Sequence, residues 1–100
     1  MMFLALFRKK PVEIEAVPCD EVLHNAQHDW AALPSWIIDA YEGKNPTCKT
    51  LVFTPEGTHI STREGVMLAS PGDWIIRGTR GELNPCKPGI FADTFEPILE

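Results

Sequence analysis

The residues predict an α+β fold, a small antiparallel sheet in the form of a meander, roll or small barrel with one main helix near 34–42. Three observations carry this. From Thr50 onward, short segments rich in β-branched and aromatic residues alternate with turn clusters; glycines at 57, 65, 72 and 81 recur at a spacing suited to strands of four to six residues. In LPSWIIDAYEG, apolar residues instead fall at the spacing of one helix face. One hundred residues with 44% hydrophobic and 23% charged side chains bury one core, so 1–100 reads as a single domain that folds.

PVEIEAV (11–17) alternates Val12, Ile14 and Ala16 against Glu13 and Glu15, the period of a strand with one dry and one wet face. Pro18, which has no N–H to give, closes that ladder. In CDEVLHNAQHDWAAL, Asp20 could cap a helix carrying Val22, Leu23, Ala26 and Trp30, but Asn25, Gln27, His28 and Asp29 lower the propensity and leave the segment open between helix and loop. Pro34 suits a first-turn position, Trp36, Ile37, Ala40 and Tyr41 share a face, and Gly43 is a natural C-terminal cap. A loop follows at 44–48.

The second half reads as consecutive strands: KTLVFT, THIST, VMLAS, WIIRG and GEL, four or five in all, joined at PEG, REG, PGD and the turn from Gly78 to Gly81. Pro71-Gly72 fits the centre of a type II turn, after which Asp73 can bond nearby amides and start the next strand. With prolines at 85, 88 and 97, the end reads as a loop, a helical turn near Ile90 to Thr94 and a short extended segment. Phe91 and Phe95, four apart, would then point into the core.

Several function classes are disfavoured. A net charge of −5 opposes binding to a nucleic-acid backbone, which depends on Lys and Arg displacing counterions. The opening MMFLALFRKK has too short an apolar run, and basic residues on the wrong side of it, for a signal peptide, and no stretch is long enough to span a membrane. The expected setting is the cytoplasm. Three irregularly spaced cysteines imply reduced thiols rather than a disulfide framework.

The blocks RKKPVEIEA (8–16), LPSWIIDAYEG (33–43), SPGDWIIRGTRGE (70–82) and PCKPGIF with TFEP (85–97) resemble, in the same order and over most of the chain, a family of small accessory proteins of tailed phages and prophages. Gly89 stands where that family has an acid and Asn84 where it has an aromatic. The resemblance implies a phage setting inside a host cell and brings no catalytic residues with it.

Chemistry must therefore be weighed on residue types. Cys19, His24 and His28 form C-x4-H-x3-H, and Cys48 could add a fourth zinc ligand; the simpler reading is surface histidines on a polar helix, and no metal or other cofactor is expected. Cys86 has Lys87 beside it, with Glu82 and Asp73 within reach across a sheet, yet flanking prolines suit a small buried plug better than a nucleophile. Glu13 and Glu15 are explained by the wet face of a strand. No P-loop, dinucleotide fingerprint or HExxH is present, so an enzyme is not expected.

Binding is the stronger reading. Trp74, Arg77, Arg80, Glu82 and Lys87 gather on one hairpin, where guanidinium beside indole suits a carboxylate, phosphate or nucleobase, against the simpler reading of core tryptophan and solvated arginines. The expected function is a non-enzymatic accessory protein that binds and inhibits or sequesters a host component, either a defence protein or a small anionic signalling ligand. The alternatives are a virion or assembly component and, behind it, a small enzyme or zinc protein. Open sheet edges add a possible homodimer.

Overall fold

The computed structural model describes residues 4–8 and 10–99. Six strands and three helices follow in the order β1 (Glu15–Pro18), α1 (Cys19–His28), α2 (Ser35–Tyr41), β2 (Cys48–Thr54), β3 (Gly57–Thr62), β4 (Gly65–Ala69), β5 (Trp74–Arg77), β6 (Leu83–Cys86) and α3 (Pro88–Thr94), with a 3-10 turn at Trp30–Ala32. The fold is α+β and its strands are antiparallel, but they form two three-stranded sheets instead of one. β2, β3 and β4 make the expected meander; β5 leaves it and pairs with β1 on one side and β6 on the other.

The departure occurs at Pro71-Gly72. Asp73 donates its N–H to the Ser70 carbonyl at 2.9 Å, and Gly72 takes φ +95°, so the type II turn read from the sequence is present. Its Asp73 carboxylate accepts the Ser70 N–H at 2.9 Å and is almost fully buried. The turn sends the chain towards β1 rather than back along β4. At Gly57, a side chain would run into the Ala69 carbonyl, and φ is +141°, so only glycine lets β3 start beneath the end of β4.

β1 keeps only the second half of the segment 11–17, because its partner β5 is four residues long: Glu15 lies opposite Arg77 and Pro18 opposite Trp74. The Cys19 N–H donates to the Asp73 carbonyl at 2.8 Å, which sets the phase of the ladder. Cys19, Val17 and Glu15 direct their backbone groups at β5, and Pro18 falls at a position whose N–H would point away from it. Pro85 sits in the same way on β6, opposite Ile75, which is why Asn84–Cys86 can be strand despite the proline that suggested a loop.

Both sheets and two helices feed one core: Val17, Ile75 and Leu83 from the first sheet, Cys48, Leu51, Ile60 and Ala69 from the second, and Val22, Ile37 and Ala40 from α1 and α2. α1 resolves the ambiguous segment in favour of helix. Asp20 is not its cap, since it lies inside the first turn after Pro18; Val22 is buried with Leu23 and Ala26 against the core, while Trp30 belongs to the 3-10 turn. Burial therefore outweighed the weak propensity. α2 matches the expected helix within its ends, and Gly43 follows it with φ +78°.

Phe91 and Phe95 do not reach the core. They form a half-buried cluster on the outer face of the first sheet, Phe91 lying flat on Trp74 with ring centroids 4.2 Å apart and 9° between planes, and Phe95 5.3 Å from Phe91. Among the described residues no helix is long and apolar enough to cross a membrane.

Candidate functional site

Side chains alternate along a strand, so residues three apart point to opposite faces. Trp74 and Arg77 are three apart on β5. Arg77 faces the side of α2, where its Nη1 donates to Glu15 Oε1 at 3.4 Å, while Trp74 faces α3. Of the five residues expected to act together, four lie on the β5–β6 hairpin and Lys87 just beyond it, and the fold divides them between its two ends.

At the turn end lies a cleft of about 370 Å³ whose walls come from three segments: Trp36 and Asp39 on α2, Lys44 to Pro46 on the α2–β2 loop, and Arg77 with Thr79, Arg80 and Gly81 on the β5–β6 turn. Asn45 fixes these walls relative to one another. Its Oδ1 accepts the N–H groups of Thr47 and Cys48 at 2.8 and 2.9 Å, and its Nδ2 donates to the Gly81 carbonyl at 2.9 Å. The turn closes on itself through Gly78 N–H to the Glu82 carbonyl at 2.8 Å, and Glu82 Oε2 accepts the Arg80 N–H at 3.0 Å. Glu82 thus shapes the turn that presents Arg80.

Three cations, Lys44, Arg77 and Arg80, border this cleft against one carboxylate, Asp39. Glu15 and Glu42 stand beside two of these cations at its edge. Two of the cations are held loosely: Arg77 by its single contact to Glu15, and Lys44 by Glu42 at 3.8 Å, both pairs open to water. Such exposed pairs contribute about 0–1 kcal/mol, so an incoming anion can replace them at small cost. The Arg80 side chain is paired with no carboxylate among the described residues. Trp36 donates its indole N–H to Glu15 Oε2 at 3.1 Å, so Glu15 orients both the indole and Arg77 at the edge of the cleft.

Trp74 and Lys87 lie at the other end of the hairpin. Lys87 Nζ donates to the buried Asp73 Oδ2 at 3.0 Å, which joins the PGDW and PCKP blocks, and Phe91 covers one face of the Trp74 ring. There both make contacts within the fold. The indole beside the arginines is that of Trp36, from the helix face that the sequence predicts, and Lys44 and Asn45 come from the loop at 44–48. Strand parity could have separated Trp74 from Arg77; nothing local in the sequence says that the 44–46 loop meets the 78–81 turn.

The metal candidates are dispersed. Cys19 Sγ donates to the Ala69 carbonyl at 3.2 Å and meets Thr58 Oγ1 at 3.5 Å, inside the core. His24 and His28 share one exposed face of α1 with rings 4.8 Å apart, and Cys48 Sγ donates to the Thr50 carbonyl at 3.2 Å. Among the described residues no group of three or more His, Cys, Asp or Glu side chains is placed to hold a metal ion. Burial pushes the Cys19 and Cys48 thiols above their ordinary pKa, which keeps them protonated. Compared with known protein families, curated proteins and solved structures, the chain matches none.

Proposed function

We propose that this chain is a non-enzymatic binding protein of the phage accessory kind, acting in the host-cell cytoplasm, and that it captures an anionic group of a host protein or small signalling ligand in the cleft between α2 and the β5–β6 turn. The observation that carries this reading is the convergence of Lys44, Arg77 and Arg80 with the Trp36 indole in an otherwise acidic chain. A guanidinium fork suits the oxygens of a phosphate or carboxylate, and the indole offers an apolar face to a ring or alkyl portion attached to it.

Two or three charge-assisted hydrogen bonds at about 1.5–3 kcal/mol each sum to about 3–9 kcal/mol, which brackets millimolar to micromolar dissociation constants. The test is a thermal-shift panel of pyrophosphate, nucleoside diphosphates, cyclic dinucleotides and citrate, repeated with the double variant R77A/R80A. At least one polyanion should raise the midpoint of the parent and not that of the double variant, and added salt should weaken the effect. A panel in which no anion moves the parent, or moves both proteins equally, overturns the proposal.

A further inference from the structure

Of the metal candidates that the fold disperses, His24 and His28 stay together. Four residues apart on α1, they stand one above the other on one face of the helix. Cys19 and Val22 bury the opposite side of α1 against the core, which leaves both imidazoles in water. Their ring centroids are 4.8 Å apart and their planes are tilted by 41°. That tilt belongs neither to a stacked nor to an edge-on pair of rings. The separation is the one that two imidazoles take on a single ion. With metal–nitrogen bonds of about 2.0–2.1 Å, the ring centres fall about 4.5 Å apart at a right angle between ligands and about 5.2 Å apart at the tetrahedral angle.

We propose that His24 and His28 together chelate one divalent transition-metal ion of the class that imidazole prefers, Cu²⁺, Ni²⁺ or Zn²⁺, with water in the remaining positions. The helix holds the two rings at the required spacing before the ion arrives, so binding orders only side chains that already lie on one face. Two ligands make a chelate of modest affinity, unlike the three or four of a structural or catalytic zinc centre, and this accords with the lack of any three-donor group among the described residues.

Charge along this part of the chain favours a cation. From Pro11 to Gly43 the sequence has no Lys or Arg and seven Asp or Glu, half of the fourteen acids of the whole chain. α1 lies within that run. Asp20 and Glu21 stand in its first turn and Asp29 directly follows His28, and among the described residues none of the three is paired with a cation. His28 is in the last turn of α1, at the negative end of the helix dipole, where a positive charge gains about 0.3–1 kcal/mol at an exposed site.

The experiment is calorimetric titration of the full chain with Ni²⁺. The parent should take up one ion per chain. H24Q and H28Q should each weaken binding at least about tenfold, since even the loss of a group that only supports a ligand costs that much. H59Q removes the remaining histidine, which is bonded to Thr54 on the second sheet, and should bind as the parent does. Both α1 histidines are exposed, so the circular dichroism spectra of H24Q and H28Q should match that of the parent. Mg²⁺ in about tenfold excess should not compete, because it prefers oxygen ligands. In ¹⁵N-labelled protein, Zn²⁺ should move the imidazole signals of His24 and His28 and not those of His59. No uptake at millimolar Ni²⁺, binding unchanged in H24Q or in H28Q, or displacement by Mg²⁺ overturns the inference, and none of these results bears on the cleft, whose ligand is tested separately.

Discussion

Asp73 joins the Ser70–Asp73 turn to the junction of β6 and α3, and its replacement by alanine should be among the more costly single changes in the chain. The carboxylate accepts the Ser70 N–H at 2.9 Å and the Lys87 ammonium at 3.0 Å, and its own side chain is 6% exposed while that of Lys87 is 65% exposed. A hydrogen bond to a buried charged acceptor contributes about 1.5–3 kcal/mol, and removing the acceptor leaves the amide without a partner. The lysine contact, because its donor is so open to water, adds less than about 1 kcal/mol. D73A should therefore cost about 2–4 kcal/mol, which for a chain of this length lowers the unfolding midpoint by roughly 10–25 °C. D73N keeps an oxygen for the Ser70 amide and loses mainly the lysine contact, at about 1 kcal/mol. Urea unfolding followed by tryptophan fluorescence measures both. A D73A loss below about 0.5 kcal/mol, or a D73N loss equal to that of D73A, would refute the reasoning that the turn cap outweighs the ion pair.

Other expectations follow from the core and its turns. Burial raises the pKa of Cys19 and Cys48 in the folded state, so above the ordinary thiol value near 9 the unfolded chain gives up protons that the folded chain retains; stability should be constant below that pH and fall as pH rises through it, by at most about 1.4 kcal/mol per unit for each thiol. Urea midpoints measured from pH 7 to 10 on the parent and on the C19A/C48A variant check this, because the variant should lose the slope. G57A should destabilise by at least about 2 kcal/mol, since φ +141° is unfavourable for alanine and the added methyl meets the Ala69 carbonyl. G65A, at φ +130° with open space around it, should cost only the backbone share of that loss, and calorimetry of the two variants separates strain from collision.

Local features were readable in the sequence where one short segment held the whole cause. The Pro71-Gly72 turn with its Asp73 bond, α2 between Pro34 and Gly43, and the β2–β4 meander all depend on residues within a few positions of one another. What escaped depended on distant partners. Nothing near Trp74 announces that β5 will choose β1 over β4, and the length of β5 decides how much of 11–17 becomes strand. α1 forms because Val22 and Cys19 find a core on both sheets, against an indifferent local propensity. Phe91 and Phe95 had helical spacing but met Trp74 outside the core. The cleft was legible in its cations Arg77 and Arg80 and illegible in its indole, because Trp36 arrives from another element.

The chain has three tryptophans, Trp30, Trp36 and Trp74, and their indole N–H resonances give one direct measurement of where an anion binds. Titration of the ¹⁵N-labelled protein with the anion that gives the largest thermal shift should move the Trp36 indole signal, which is bonded to Glu15 at the mouth of the cleft, together with the Asn45 side-chain amide and the Gly81 backbone amide, and should leave Trp30 and Trp74 in place. Movement of the Trp74 indole with Trp36 unchanged, or no movement of any signal near Arg77 and Arg80, would contradict the placement of the binding site between α2 and the β5–β6 turn.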